Sequence, residues 1–341
     1  MTGRIVAAAL MSAILSFVVA PWIMRLAKYI GAIDLPNERK IHEGMMPRLG
    51  GLGIFLSFLA VSLFFAEKNS QYVGLILANI IIVITGIFDD TKGIGPKMKL
   101  LGQFLAALVL VEYGFRISFI DLPIGPSYLF LVRASVIATV FWLIAVTNAI
   151  NLIDGLDGLA AGTAFFAIAF ISLAAFRIGL LEAVLLGSIL AGAILGFLPY
   201  NFHPARTFMG DTGSMLLGFN AAALAILGMT KSITLISLVL PVVVLGIPIL
   251  DTAWAILRRA SRGKKIFEAD KKHLHHRLLH MGLSHRNTVL IIYGIDVALG
   301  ICALFLQSLG NVASWVVLLL IAALLVTFVI RLGLATDEID K

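Results

Sequence analysis

Charge is what this chain has least of. Only 13% of its 341 residues are Asp, Glu, Lys or Arg, while 60% are apolar. A mean hydropathy of +1.03 excludes a soluble domain. Lipid offers backbone groups no partner, so the class that remains is an all-α, polytopic helical membrane bundle. Cysteine is nearly absent: Cys302 stands alone in an apolar run, which rules out a disulfide framework. There is no Gly-x-x-x-x-Gly-Lys-Ser/Thr loop and no Gly-x-Gly-x-x-Gly after a strand, which argues against ATP-driven work. Nor does any internal repeat, low-complexity segment or separate soluble domain appear, so the chain reads as one domain over 1–341. The net charge of +7 points to basic loops rather than to nucleic acid, which is not an expected partner.

About eleven apolar stretches are long enough, or nearly so, to span. They are Ile5–Ala27, Leu49–Ala66, Tyr72–Phe88, Leu100–Phe115, Tyr128–Thr147, Leu159–Phe176, Leu181–Leu198, Gly213–Met229, Ile233–Leu257, Thr288–Leu306 and Val312–Leu332. The first opens with Arg4 like a signal peptide, but Pro21 and Trp22 stand where a cleavage site needs small residues, so it reads as an uncleaved anchor. Twenty of the 26 Lys and Arg, and all seven His, fall in alternate connections and the C-terminal tail. The positive-inside rule then predicts an outer N-terminus and a cytoplasmic C-terminus. A transporter would spread ionisable groups along a path through the membrane, whereas this chain gathers them at one face.

Five cytoplasmic loops follow, near 28–48, 89–99, 148–158, 199–212 and 258–287. The first mixes a cationic cluster, Arg39, Lys40 and Arg48, with Gly50-Gly51; its cations either grip phosphate or anchor the membrane side. The second pairs Asp89-Asp90 with Lys97 and Lys99. Adjacent carboxylates with lysines suit a divalent metal on phosphate, though a solvated helix cap fits as well. In the third, Asn148-Ala-Ile-Asn-Leu-Ile-Asp-Gly-Leu-Asp-Gly158, Asn151, Asp154 and Asp157 lie three apart. One helical turn would crowd all three together, calling for a cation or substrate, or else they cap a helix. The fourth carries Tyr200-Asn201 and ends in Gly210-Asp211-Thr-Gly, either a metal-diphosphate turn or a helix N-cap. The fifth, with His273-Leu-His-His-Arg277, suits an anionic phosphodiester better than zinc, since no cysteine joins it. Gly246-Ile-Pro248 interrupts the ninth stretch and predicts a kink. Asp251 and Asp296 lie within or near apolar stretches and call for no more than a buried hydrogen bond.

Five ordered blocks, Pro36–His42, Phe88-Asp-Asp90, Asn148–Gly158, Phe208–Gly213 and His273–Arg277, resemble the polyprenyl-phosphate N-acetylhexosamine-1-phosphate transferases. The nearest branch is the bacterial one that starts wall teichoic acid, O-antigen or enterobacterial common antigen. The resemblance implies transfer of GlcNAc-1-phosphate from UDP-GlcNAc to undecaprenyl phosphate, with Mg2+ or Mn2+, at the cytoplasmic face of a bacterial inner membrane. It further implies that Asp89 or Asp90 deprotonates the lipid phosphate or attacks the β-phosphorus, with Asp90 also touching metal. Asp211 and Asn151 would hold that metal, and Asp154 and Asp157 would position metal or nucleotide. Lys97, Asn201, His273, His275, His276 and Arg277 would bind substrate. A homodimer is left open. The sibling that transfers phospho-MurNAc-pentapeptide carries three consecutive histidines; His-Leu-His-His here favours the smaller donor.

Overall fold

The computed structural model describes residues 2–34, 45–117, 119–121, 128–130, 134–230, 241–261, 273–309, 313–324 and 327. Helices dominate: α1 (Thr2–Ile30), α2 (Gly50–Phe65), α3 (Ser70–Lys92), α4 (Pro96–Glu112), α5 (Ser135–Ile153), α6 (Leu159–Arg177), α7 (Leu181–Asn201) and α8 (Gly210–Thr230). After them come α9 (Gly246–Ser261), α10 (Leu274–His280), α11 (His285–Leu306) and α12 (Ala313–Leu324). Seven of the described helices are long and apolar enough to cross a bilayer, which makes this a multi-pass membrane protein. The stretches Leu49–Ala66, Ile233–Leu257 and Val312–Leu332 give only shorter described helices, and part of the last two lies outside the described residues.

Among the described residues, strand is confined to two small antiparallel pairs. β1 (Ile33–Asp34) pairs with β2 (Met46–Pro47), and β3 (Phe119–Asp121) with β4 (Tyr128–Phe130). The second corrects a boundary: Tyr128 begins a strand, and the fifth helix starts only at Ser135. Tyr-Leu-Phe is as good a strand as a helix start, and it pairs antiparallel with Phe119–Asp121.

Helix α8 is the hub, almost wholly buried, and α2, α3, α5 and α6 pack around it. Small residues make that closeness available, as in other membrane bundles. A Cβ on Gly51 would overlap the Cα of Gly213, so α2 and α8 touch backbone to backbone there. Buried amides are paired across helices rather than left bare. Asn79 of α3 and Asn220 of α8 exchange hydrogen bonds (3.1 and 2.8 Å), and Asn148 of α5 donates to Gln103 of α4 (2.7 Å). Asp296 of α11 accepts from Thr163 of α6 at 2.8 Å, the buried hydrogen bond its position called for. The ninth stretch is interrupted as Gly246-Ile-Pro248 predicts: α9 begins at Gly246 and places Pro248 in its first turn, where the missing N–H costs nothing.

Candidate active site

One end of the bundle collects the helix termini that carry acids. Helix α3 finishes at Gly93, whose positive φ (+66°) accepts the left-handed turn, and puts Asp89 and Asp90 in its last turn. Carboxylates at a helix C-terminus oppose the dipole, so something must compensate. The N-terminus of α8 does so. Asp90 accepts from the backbone N–H of Asp211 (2.9 Å) and Thr212 (3.0 Å) and from the Thr212 hydroxyl (2.6 Å). A residue 121 positions upstream thus supplies the N-cap of α8. Gly210 makes this approach possible: its φ is +72°, and a Cβ there would lie 2.5 Å from an Asp90 oxygen.

Arg48 and Lys99 tie the acids together. The Arg48 guanidinium donates to Asp90 (3.1 Å) and Asp211 (3.2 Å) and lies 3.7 Å from Asp34. Lys99, in the first turn of α4, reaches Asp89 at 2.8 Å and Asp211 at 3.1 Å. Burial works against charge on both, but the surrounding carboxylates outweigh it: Asp90 and Asp211 around Arg48, Asp211 and Asp89 around Lys99. Both are held above their ordinary pKa values. Asn151, near the end of α5, donates its amide to Asp211 and to Ser214 (2.8 Å). Its amide oxygen has no partner among the described residues.

Carboxylate oxygens from Asp89, Asp90 and Asp211 lie within 4.8 Å of one another, with two cations facing three acids. An oxygen-only set with excess negative charge fits Mg2+ or Mn2+. Asp90 is the member least able to serve, because four donors already occupy it.

The third loop departs from the expected single turn. Helix α5 ends at Ile153, Asp154 is its exposed C-cap, and Gly158 turns at positive φ (+79°), so the three residues diverge. Asn151 joins the acids, whereas Asp157 accepts from Ala205 N–H (3.2 Å) and pairs with His203 (2.9 Å). His285 completes a second group whose ligand atoms lie within 4.8 Å of one another. The His203 and His285 rings stack, with centroids 4.3 Å apart and planes 19° apart.

Of the expected substrate contacts, Lys97 is exposed, and Lys99 is the lysine that enters the cluster. Asn201 is buried and donates to Thr207 O (3.1 Å), closing the loop before α8. His273, His275 and Arg277 are buried in and beside α10, with His276 half-buried. His275 packs where a Cβ on Gly155 would stand, which lays α10 against the third loop. Burial, then the neighbouring His276, pushes its pKa down to about 3. The block 36–42 lies outside the described residues, as does 262–272.

Arg48 and Lys99 were expected only as members of their loops' cation groups, beside Arg39, Lys40 and Lys97, and nothing in the sequence ranked them above those neighbours.

Residues 72–229 match the model of glycosyl transferase family 4. A probable undecaprenyl-phosphate N-acetylglucosaminyl 1-phosphate transferase of Bacillus subtilis is 40% identical over 95% of this chain and 90% of its own. The chain belongs to the polyprenyl-phosphate N-acetylhexosamine-1-phosphate transferase family. Within it, a decaprenyl-phosphate N-acetylglucosaminephosphotransferase of Mycobacterium tuberculosis is 34% identical over 83% of this chain and 78% of its own. A phospho-N-acetylmuramoyl-pentapeptide-transferase of Halalkalibacterium halodurans is 31% identical over 87% of this chain and 97% of its own. Family and site coincide: residues 72–229 hold Asp89, Asp90, Lys99, Asn151 and Asp211.

Proposed function

We propose that this protein transfers GlcNAc-1-phosphate from UDP-GlcNAc to undecaprenyl phosphate, at the cytoplasmic face of a bacterial inner membrane. The observation that carries this reading is the meeting of Asp89, Asp90 and Asp211 with Arg48, Lys99 and Asn151 at the basic end of the bundle. The greasy acceptor cannot leave the bilayer and the nucleotide sugar cannot enter it, so the reaction belongs at that interface. An oxygen of the lipid phosphate attacks the β-phosphorus, and the anhydride bond to UMP breaks. One phosphoanhydride replaces another, so no further energy source is needed.

Roles divide by what each side chain is already doing. Asp211, the Asn151 amide oxygen and Asp89 are the groups that would hold Mg2+ or Mn2+. When bound, the ion would screen charge on the diphosphate. Lys99 and Arg48 hold anionic oxygens in line. Asp89, less encumbered than Asp90, receives the proton of the lipid phosphate. Asp90 caps α8 and aims Arg48. Asp157, with His203, shapes the loop on the nucleotide side.

The test offers purified protein undecaprenyl phosphate and Mg2+ with UDP-GlcNAc or UDP-MurNAc-pentapeptide, and resolves the lipid products. A GlcNAc-diphosphate lipid with release of UMP supports the reading. Product from the pentapeptide donor alone would move the protein to its sibling, and no lipid-linked product from either would end the proposal.

A further inference from the structure

Asp251 has no part in the acid cluster, yet it is placed with care. It lies on α9, 22 residues before His273, and both its oxygens are engaged by α10. One accepts the backbone N–H of Leu274 at 2.9 Å, an orphan donor at the start of α10. The other faces Nδ1 of His273 at 2.7 Å. His273 is the N-cap residue of α10, but its own side chain makes no cap, so Asp251 caps that helix from a neighbouring one. The pair is nearly closed to water, with side chains 6% and 11% accessible.

A carboxylate can only accept, so it favours the proton on Nδ1 and leaves Nε2 as the ring's acceptor. Nε2 has no hydrogen-bond partner among the described residues. The ring cannot swing away. It lies parallel to His275 (2° between planes, centroids 5.9 Å apart), and His275 is wedged over Gly155. Two fixed neighbours and one free nitrogen describe a ligand contact held ready, not a satisfied core histidine.

We propose that Asp251 is a positioning residue. It sets the tautomer and orientation of His273 so that Nε2 accepts a hydrogen bond from an O–H or N–H of the nucleotide sugar. The inference rests on the proposed function for its ligand. Asp251→Asn separates the two tasks of the carboxylate. The amide oxygen still caps Leu274, but the amide N–H2 opposes Nδ1 and drives the proton to Nε2.

The experiment measures equilibrium binding of UDP-GlcNAc, with Mg2+, to the full-length purified protein, which does not depend on turnover. Asp251→Asn is expected to weaken binding about 10–100-fold, the range for loss of a histidine-orienting partner. Its affinity for undecaprenyl phosphate and its melting temperature stay at wild-type values, a selectivity that a merely structural role would not produce. Asp251→Glu, which keeps a carboxylate, recovers part of the affinity and serves if the amide variant does not fold. Adding Asp251→Asn to His273→Gln costs nothing further. An equal loss in both backgrounds, or wild-type binding by Asp251→Asn or by His273→Gln, overturns this inference alone. Failure of wild-type protein to bind UDP-GlcNAc overturns the functional reading and this one with it.

Discussion

Asp89 and Asp90 are neighbours in sequence, yet replacing them should have unequal consequences for stability. Asp90 is fully buried at its side chain and receives Asp211 N–H, Thr212 N–H, the Thr212 hydroxyl and Arg48. Asp90→Ala removes an N-cap, worth about 1 kcal/mol, and strands a partly buried Arg48, worth about 3 kcal/mol or more where burial is complete. The Arg48 side chain keeps 28% accessibility and a second partner in Asp211, so the combined loss should be about 3 kcal/mol. Asp89 makes one ion pair, with a lysine that Asp211 also holds. Asp89→Ala therefore costs about 1 kcal/mol or less, since it also relieves repulsion between two acids. Thermal unfolding of both variants in the same detergent reads the difference directly, beside a UMP-release assay in which both lose transfer. Equal melting temperatures, or a larger drop for Asp89→Ala, would refute the division between capping and chemistry.

Four further outcomes are expected. Lys99→Ala should lower UMP release about 100-fold or more, as loss of one preorganised donor to a phosphoryl group does, while Lys97→Ala stays near wild type; similar losses would remove Lys99 from the site. Gly210→Ala forces a side chain into left-handed backbone and against Asp90, so it should cost about 2 kcal/mol and abolish transfer, and a variant that melts and turns over normally contradicts the geometry. Chelation should stop turnover and added Mg2+ or Mn2+ restore it, with Asp211→Asn needing more metal for half-maximal rate; activity that survives exhaustive chelation would exclude the metal. His275, held down to about pKa 3, binds its proton more readily in the unfolded chain, so its contribution to stability is intact above about pH 6.5 and is lost as pH falls toward 3. The melting temperature of His275→Leu should accordingly decline less than that of wild type between pH 7 and 5, and parallel declines would show that His275 is not the group responsible.

Much of the site was legible because its residue types are costly in a membrane. Asp89-Asp90, Asn151 and Asp211 stand beside apolar stretches where uncompensated polarity is rare, which marks them without any knowledge of contacts. Spacing misled where glycines intervene. Three residues at intervals of three suggest one helix face, but α5 stops at Ile153, and only Asn151 reaches the acids while Asp157 turns to His203. Lys97 and Lys99 are alike in composition and differ only in helical phase, which leaves one exposed and points the other at Asp89. The strand β4, Tyr128–Phe130, read as part of a span because an apolar triplet does not declare its period.

Hydropathy along the chain determined that this is a helical membrane protein, because the bilayer leaves backbone no other way to bond, and the run of polar blocks determined its family. The tertiary structure decided which acids share a centre, that Asp90 caps a helix far along the chain, and that Asp251 holds His273. Those pairings depend on where helices end and on glycine surfaces that let backbones touch. Both are properties of packing in three dimensions and leave no local mark in the order of residues.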